Sequence, residues 1–177
     1  YSKKKKRTLI TMCSLYKEII MKKIGYLLFA IIISLLMVSC VQSDKSRVSD
    51  ELNLKLVKAN QIMKYDDHGA MGDGTKFITF EFDSNDTLNQ IKSDSNWKKF
   101  PLDKTTKILM YGDEKTSSYV TDNSSRSLFP EISEGYYMLI DRQEDKSQNI
   151  LKRSSLNFTL AVYDTKTNTL FFAEIDT

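Results

Sequence analysis

Histidine, cysteine and proline are nearly missing from this chain: 177 residues hold one His, two Cys and two Pro. So little His and Cys leaves little material for a metal cluster or a disulfide-stapled scaffold. Glycine is also scarce, at six residues. That excludes a collagen-like or low-complexity chain. A hydrophobic fraction of 41% is too high for a wholly disordered one. The length suits one ordinary domain with an appendage.

A net positive charge is missing from most of the chain, although the formal net charge of the whole is +3. Residues 1–39 carry eight Lys/Arg (Lys3, Lys4, Lys5, Lys6, Arg7, Lys17, Lys22, Lys23) against one acid, Glu18. From position 40 onward there are 18 basic and 22 acidic residues, a net charge of −4. A nucleic-acid binder needs its basic residues on the folded part. Nucleic acid is therefore not an expected partner.

What the N-terminal part does have is one long apolar run. Ile24 to Val38 reads IGYLLFAIIISLLMV, with Lys22-Lys23 just before it. A charged start, an apolar run and then small residues is the layout of a secretory signal. Met37-Val38-Ser39-Cys40 resembles the lipobox of bacterial lipoproteins: an aliphatic residue, a variable one, a small one, then Cys. The resemblance implies that Cys40 receives a diacylglyceryl group and becomes the first residue after cleavage. The alternative is a plain transmembrane anchor. The uncharged stretch Ile24 to Ser43 is 20 residues, enough to cross about 30 Å of hydrocarbon. Both readings keep Lys/Arg in the cytoplasm and put the C-terminal part outside. The expected location is the cell membrane, with the domain on its extracytoplasmic side.

Residues 1–20 read as a translated leader ahead of a start at Met21. Lys17-Glu18 can be encoded by a purine-rich, ribosome-binding-like stretch at a suitable distance from the Met21 codon. A basic cytoplasmic tail is the alternative. The expected organisation is then a leader or tail (1–20), a signal peptide (21–39), a tether (40–50) and an extracytoplasmic domain (51–177). Cys13 and Cys40 flank the membrane run and cannot pair, so the domain holds no disulfide.

The domain reads as α+β, with a mostly antiparallel sheet of about five strands and one or two short helices, behind the N-terminal hydrophobic segment. Strands are expected at Leu54–Tyr65 (with a bulge), Lys76–Phe82, Gly135–Asp141, Asn157–Tyr163 and Leu170–Ile175. In Lys76–Phe82, Ile78, Phe80 and Phe82 share one face. The apolar run GYYMLID at 135–141 reads as a central strand. Helices are expected near Thr87–Ser95 and from Asp103 as cap to Gly112 as stop, although Ile108–Tyr111 also suits a strand. Residues 113–134 are polar and long for a loop, with a small hairpin near Asp122-Asn123.

The most unusual stretch is Asp66-Asp67-His68-Gly69-Ala70-Met71-Gly72-Asp73-Gly74. It gathers the only His with Asp66, Asp67 and Asp73, a candidate ligand-binding loop. Its Asp spacing does not match a calcium-binding EF-hand loop, and one His cannot build a zinc site alone. The bland reading is a glycine-rich turn whose Asp side chains bond its own backbone, and that reading is preferred. No catalytic residue, metal site or cofactor site is assigned. There is no G-x-S-x-G elbow, Walker loop or dinucleotide fingerprint. The aromatics Trp97, Phe100, Tyr111, Tyr119, Phe129, Tyr136 and Tyr137 mark either a binding face or core.

Several segments resemble a group of small exported bacterial proteins of unknown function. They are Pro130-Glu131-Ile132 through Gly135-Tyr136-Tyr137, Asp141-Arg142-Gln143, Asn157-Phe158, Tyr163-Asp164-Thr165, and the His68-Gly69 to Gly72-Asp73-Gly74 loop. The resemblance covers about residues 52–177 and implies an extracytoplasmic domain with no stated activity. Relatives of that group often carry a second His and an aromatic in the loop, where this chain has Ala70-Met71. A two-His site is thus not expected. The leading expectation is a lipid-anchored binding module for an unknown protein or small-molecule ligand. The alternatives are an enzyme using the His68 loop, or a surface inhibitor of the immunity type.

Overall fold

Apolar residues on both faces of the inner strands dictate the architecture. In the computed structural model, which describes residues 43–177 together with Met21 and Lys23, these strands lie between two apolar layers. The expected anchor, Cys40 included, lies outside the described residues. Strands β1 (Asn60–Asp66), β2 (Gly74–Glu81), β3 (Lys98–Lys99), β4 (Gly135–Asp141), β5 (Phe158–Asp164) and β6 (Thr169–Asp176) form one sheet. Its order is β1-β2-β6-β5-β4-β3, with every neighbouring pair antiparallel. Helices α1 (Asp44–Glu51), α2 (Asp86–Ser93) and α3 (Lys104–Tyr111) complete the α+β fold, with a short 3-10 turn at Ile150–Lys152.

One face of the sheet presents Ile78, Phe80, Tyr163, Phe172 and Met138 to Val48 and Leu52 from the α1 region, Ile91 of α2, and Trp97. The other face presents Phe77, Phe158, Leu160, Val162 and Phe171 to Leu109 and Met110 of α3 and to Val120, Phe129, Ile132 and Leu156. Covering both faces explains why β5 is buried along its whole length. It also explains why Phe77 and Thr79 are buried as well as Ile78 and Phe80, against simple alternation.

The helix ends follow local chemistry. The Asp103 carboxylate accepts the Thr106 N–H at 2.8 Å, and Gly112 stops α3, as expected. Helix α2 starts at Asn85 without a side-chain cap bond, with Asp86 in its first turn and Lys92 in its last. The segment expected as a tether carries α1 instead. Ser43 caps it by accepting the Ser46 N–H at 3.2 Å, and Val48 and Leu52, four apart, face the core.

Other corrections concern the strands. The Leu54–Tyr65 strand is shorter than expected: β1 begins at Asn60, and 54–59 is turn and irregular chain. The expected bulge lies between Gln61 and Met63. Strand β4 is not central; β5 and β6 are, and β4 is followed outward only by the two-residue β3. It reads as apolar because layers cover it on both sides. The sixth strand, Lys98-Lys99, had no sequence pattern to announce it. Both edges are blunted, one by the bulge and Lys64, the other by shortness and charge.

Residues 113–134 are polar in sequence but sewn down. Thr121 bridges to Ser127, with Asp122 and Arg126 closing the small hairpin. The Ser118 and Ser127 hydroxyls both donate to the Met110 carbonyl, at 2.7 and 2.9 Å. Val120, Phe129 and Ile132 sink into the second core layer.

Candidate functional site

The His68 loop joins β1 to β2 and lies beside the C-terminal end of β6. The His68 ring sits between two carboxylates. Nδ1 lies 2.8 Å from Asp66 Oδ1, and Nε2 lies 3.3 Å from Asp176 Oδ2. Lys76 Nζ approaches the other oxygen of Asp66 at 3.3 Å. Partial burial pushes the Asp66 carboxyl up, but hydrogen bonds from His68 and Lys76 outweigh it and hold the group below the usual carboxylate range.

The other two candidates do not converge on the ring. Asp67 Oδ1 accepts the Thr75 N–H at 2.6 Å, and Asp67 Oδ2 accepts the Tyr65 hydroxyl at 2.9 Å. The Tyr65 oxygen also lies 2.8 Å from Asn123 Oδ1, within hydrogen-bond distance. Asp73 is exposed at the tip, where its carbonyl accepts the Gly69 N–H at 2.9 Å. Among the described residues no cluster of His, Cys, Asp and Glu is arranged to hold a metal ion. The geometry is that of a turn whose side chains satisfy its own backbone. His68→Ala is therefore expected to lower stability by about 1 kcal/mol or less, because the ring and its carboxylate partners are partly exposed. Chemical denaturation of wild type and variant measures this; a loss of several kcal/mol would assign the ring a larger structural role.

The ring ends a chain of charges that no sequence pattern foretold. Asp176 also pairs with Arg142 at 3.0 Å. Arg142 reaches Glu174 at 3.5 Å and donates to the Phe158 and Ile175 carbonyls at 3.3 and 3.2 Å. Glu174 is buried and is held on its other side by Arg47 of α1. A buried carboxylate needs such partners, since an uncompensated charge in the interior is costly. Glu51 of α1 accepts from Thr159 of β5 in the same layer. The network fastens α1 across the sheet, and its members come from opposite ends of the domain.

An apolar concavity lies elsewhere. A groove of about 640 Å³ runs between the Phe100–Leu102 segment, α3 and residues 129–133. Phe100, Pro101 and Leu102 form one wall, with a cis peptide between Phe100 and Pro101. Tyr111, Phe129 and Ile132 form the other side and floor. The Tyr111 hydroxyl donates to the Pro130 carbonyl at 2.8 Å and accepts the Ile132 N–H at 3.2 Å. These bonds fix the ring as a wall, and burial pushes its hydroxyl pKa up. Lys107, Glu131 and Ser133 stand exposed at the rim.

Three of the aromatics singled out in the sequence, Phe100, Tyr111 and Phe129, meet in this groove. Trp97 is core instead, with its Nε1 buried and without a hydrogen-bond partner among the described residues. Sequence reasoning missed Leu102 and Ile132, whose place here depends on how α3 packs. Among the described residues no helix is long and apolar enough to cross a membrane. No protein family, no curated protein and no solved structure matches this chain.

Proposed function

We propose that this protein is a membrane-anchored lipoprotein whose extracytoplasmic domain binds a small apolar ligand in the Phe100–Tyr111–Ile132 groove. The groove carries the reading. Its volume of about 640 Å³ falls in the range of small-molecule sites. It follows the usual plan of apolar walls with a few polar groups at the edge. Lys107, Glu131 and Ser133 at the rim suit a ligand with one polar end. The anchor half of the reading rests on Lys22-Lys23, the apolar run and Ser39-Cys40. An enzyme built on the His68 loop has less support, because both ring nitrogens already face carboxylates and Asp67 and Asp73 turn elsewhere.

The test uses an apolar fluorophore with a sulfonate end, anilinonaphthalene sulfonate. Wild type is expected to bind it at one saturable site. Leu102→Asp puts a charge into the wall and is expected to weaken binding about tenfold or more. Near-UV circular dichroism must stay unchanged, because this dye also binds loosely packed states. Equal binding by both folded proteins would remove the groove as the site.

A further inference from the structure

Resting on the anchor reading above, we infer that the α1/residue 55–58 face of the domain docks on the anionic surface of the bilayer. Lys45, Lys55 and Lys58 line one shallow concavity with Ser43 and Val57, and no carboxylate lines it. This is a local departure in a region, residues 40–177, whose net charge is −4. Lys55, Val57 and Lys58 are exposed, Val57 at 66%. The one carboxylate at the start of α1, Asp44, is paired with Lys64 at 2.7 Å.

The backbone presents these side chains outward. Lys58 has φ 60, a left-handed conformation that a non-glycine residue rarely adopts. It turns the chain between buried Leu56 and buried Ala59, leaving Val57 and Lys58 at the apex. The Lys45 ammonium donates to the Ala59 carbonyl at 3.1 Å, so the helix start and this turn hold one position.

Chain length supplies the occupant. Ser43 is three residues from Cys40, a reach of at most about 10 Å. A lipid on Cys40 therefore brings the bilayer surface beside Ser43, at the edge of this concavity. An uncleaved transmembrane anchor would do the same. Near an anionic surface each lysine strengthens attachment about fivefold. An apolar side chain among lysines can enter the headgroup layer while the ammonium groups meet phosphates.

The test places a lipid-quenchable fluorophore at Val57→Cys or, on the opposite layer, at exposed Ser117→Cys. The full chain is expressed, recovered from membranes and reconstituted in vesicles of phosphatidylcholine with or without 30% phosphatidylglycerol. Quenching is expected at position 57 and not at 117, only with phosphatidylglycerol, and weakened by salt. Adding Lys45→Gln, Lys55→Gln and Lys58→Gln is expected to lower the docked-to-free ratio about a hundredfold. Anchored protein quenched equally at both positions, or at neither, overturns the docking while leaving the anchor. Recovery of the chain in the soluble fraction overturns the anchor and the docking with it.

Discussion

Gly135→Ala is expected to destabilise the domain by about 3 kcal/mol or more, a large part of a typical total. Gly135 opens β4 at φ 154, a conformation that residues with a Cβ rarely adopt. A Cβ at this position would lie 1.9 Å from the Tyr163 carbonyl oxygen and 3.0 Å from its carbon. Those atoms are backbone of β5, where Gly135 is registered against Asp164. The other side offers no slack, because the Gly135 carbonyl accepts the Phe100 N–H at 3.0 Å. The methyl must therefore push β5 away from β4 where the two strands begin to pair, in a sheet packed on both faces. Interiors are too dense to absorb such a shift at little cost. Gly69→Ala is the control: its Cβ would meet only the Asp73 oxygen, at 3.9 Å, an ordinary contact. Urea denaturation of both variants reads the difference as a shift in midpoint at constant slope. Similar midpoints for the two would show that β4 and β5 separate easily, against the packing described.

What was legible in the sequence was local. Asp103 and Gly112 bracket α3 because a cap and a stop are each a matter of one residue's chemistry. The β5–β6 hairpin was legible because Thr and Asn suit its tip and apolar runs of strand length flank it. The structure adds a reason: Asn168 sits at φ 56, and its side-chain oxygen accepts the Tyr163 hydroxyl at 2.7 Å. Burial first, and the charge of Asp164 next, push that hydroxyl up to about 12. It stays protonated and donating over the whole physiological range.

What was not legible depends on contacts distant in sequence. Helix α1 hides in a polar stretch, because its apolar content is Val48, with Leu52 at its C-cap, and its other anchors are polar or ionic. Arg47 and Glu174 stand 127 positions apart, so no window of sequence relates them. The strand ranks were misread for a related reason. The run at 135–141 is apolar because two layers cover it, and that says nothing of its place in the order. The groove was half visible. Its aromatics were conspicuous, but Leu102 and Ile132 look like any core residues until α3 is placed between them.

Cys40→Ser is expected to abolish incorporation of radiolabelled palmitate completely, since the reading assigns lipid to this thiol alone. One chain holds a protein on a bilayer only weakly, whereas two give stable attachment. The diacylglyceryl group brings two at once, so retention after cleavage depends on a single sulfur. A serine cannot take that group, and a signal peptidase that requires the modified Cys will not cut. The variant therefore keeps residues 24–38 and stays in the membrane as a longer, unlabelled chain. Fractionation gives the same answer for both proteins; label and length must be read together. Wild type is expected to be labelled and short, the variant unlabelled and long. Wild-type chain that is unlabelled and of full precursor length would defeat the lipoprotein reading. The apolar run would then stand as an uncleaved anchor, and the lysines beside Val57 would still face the same bilayer.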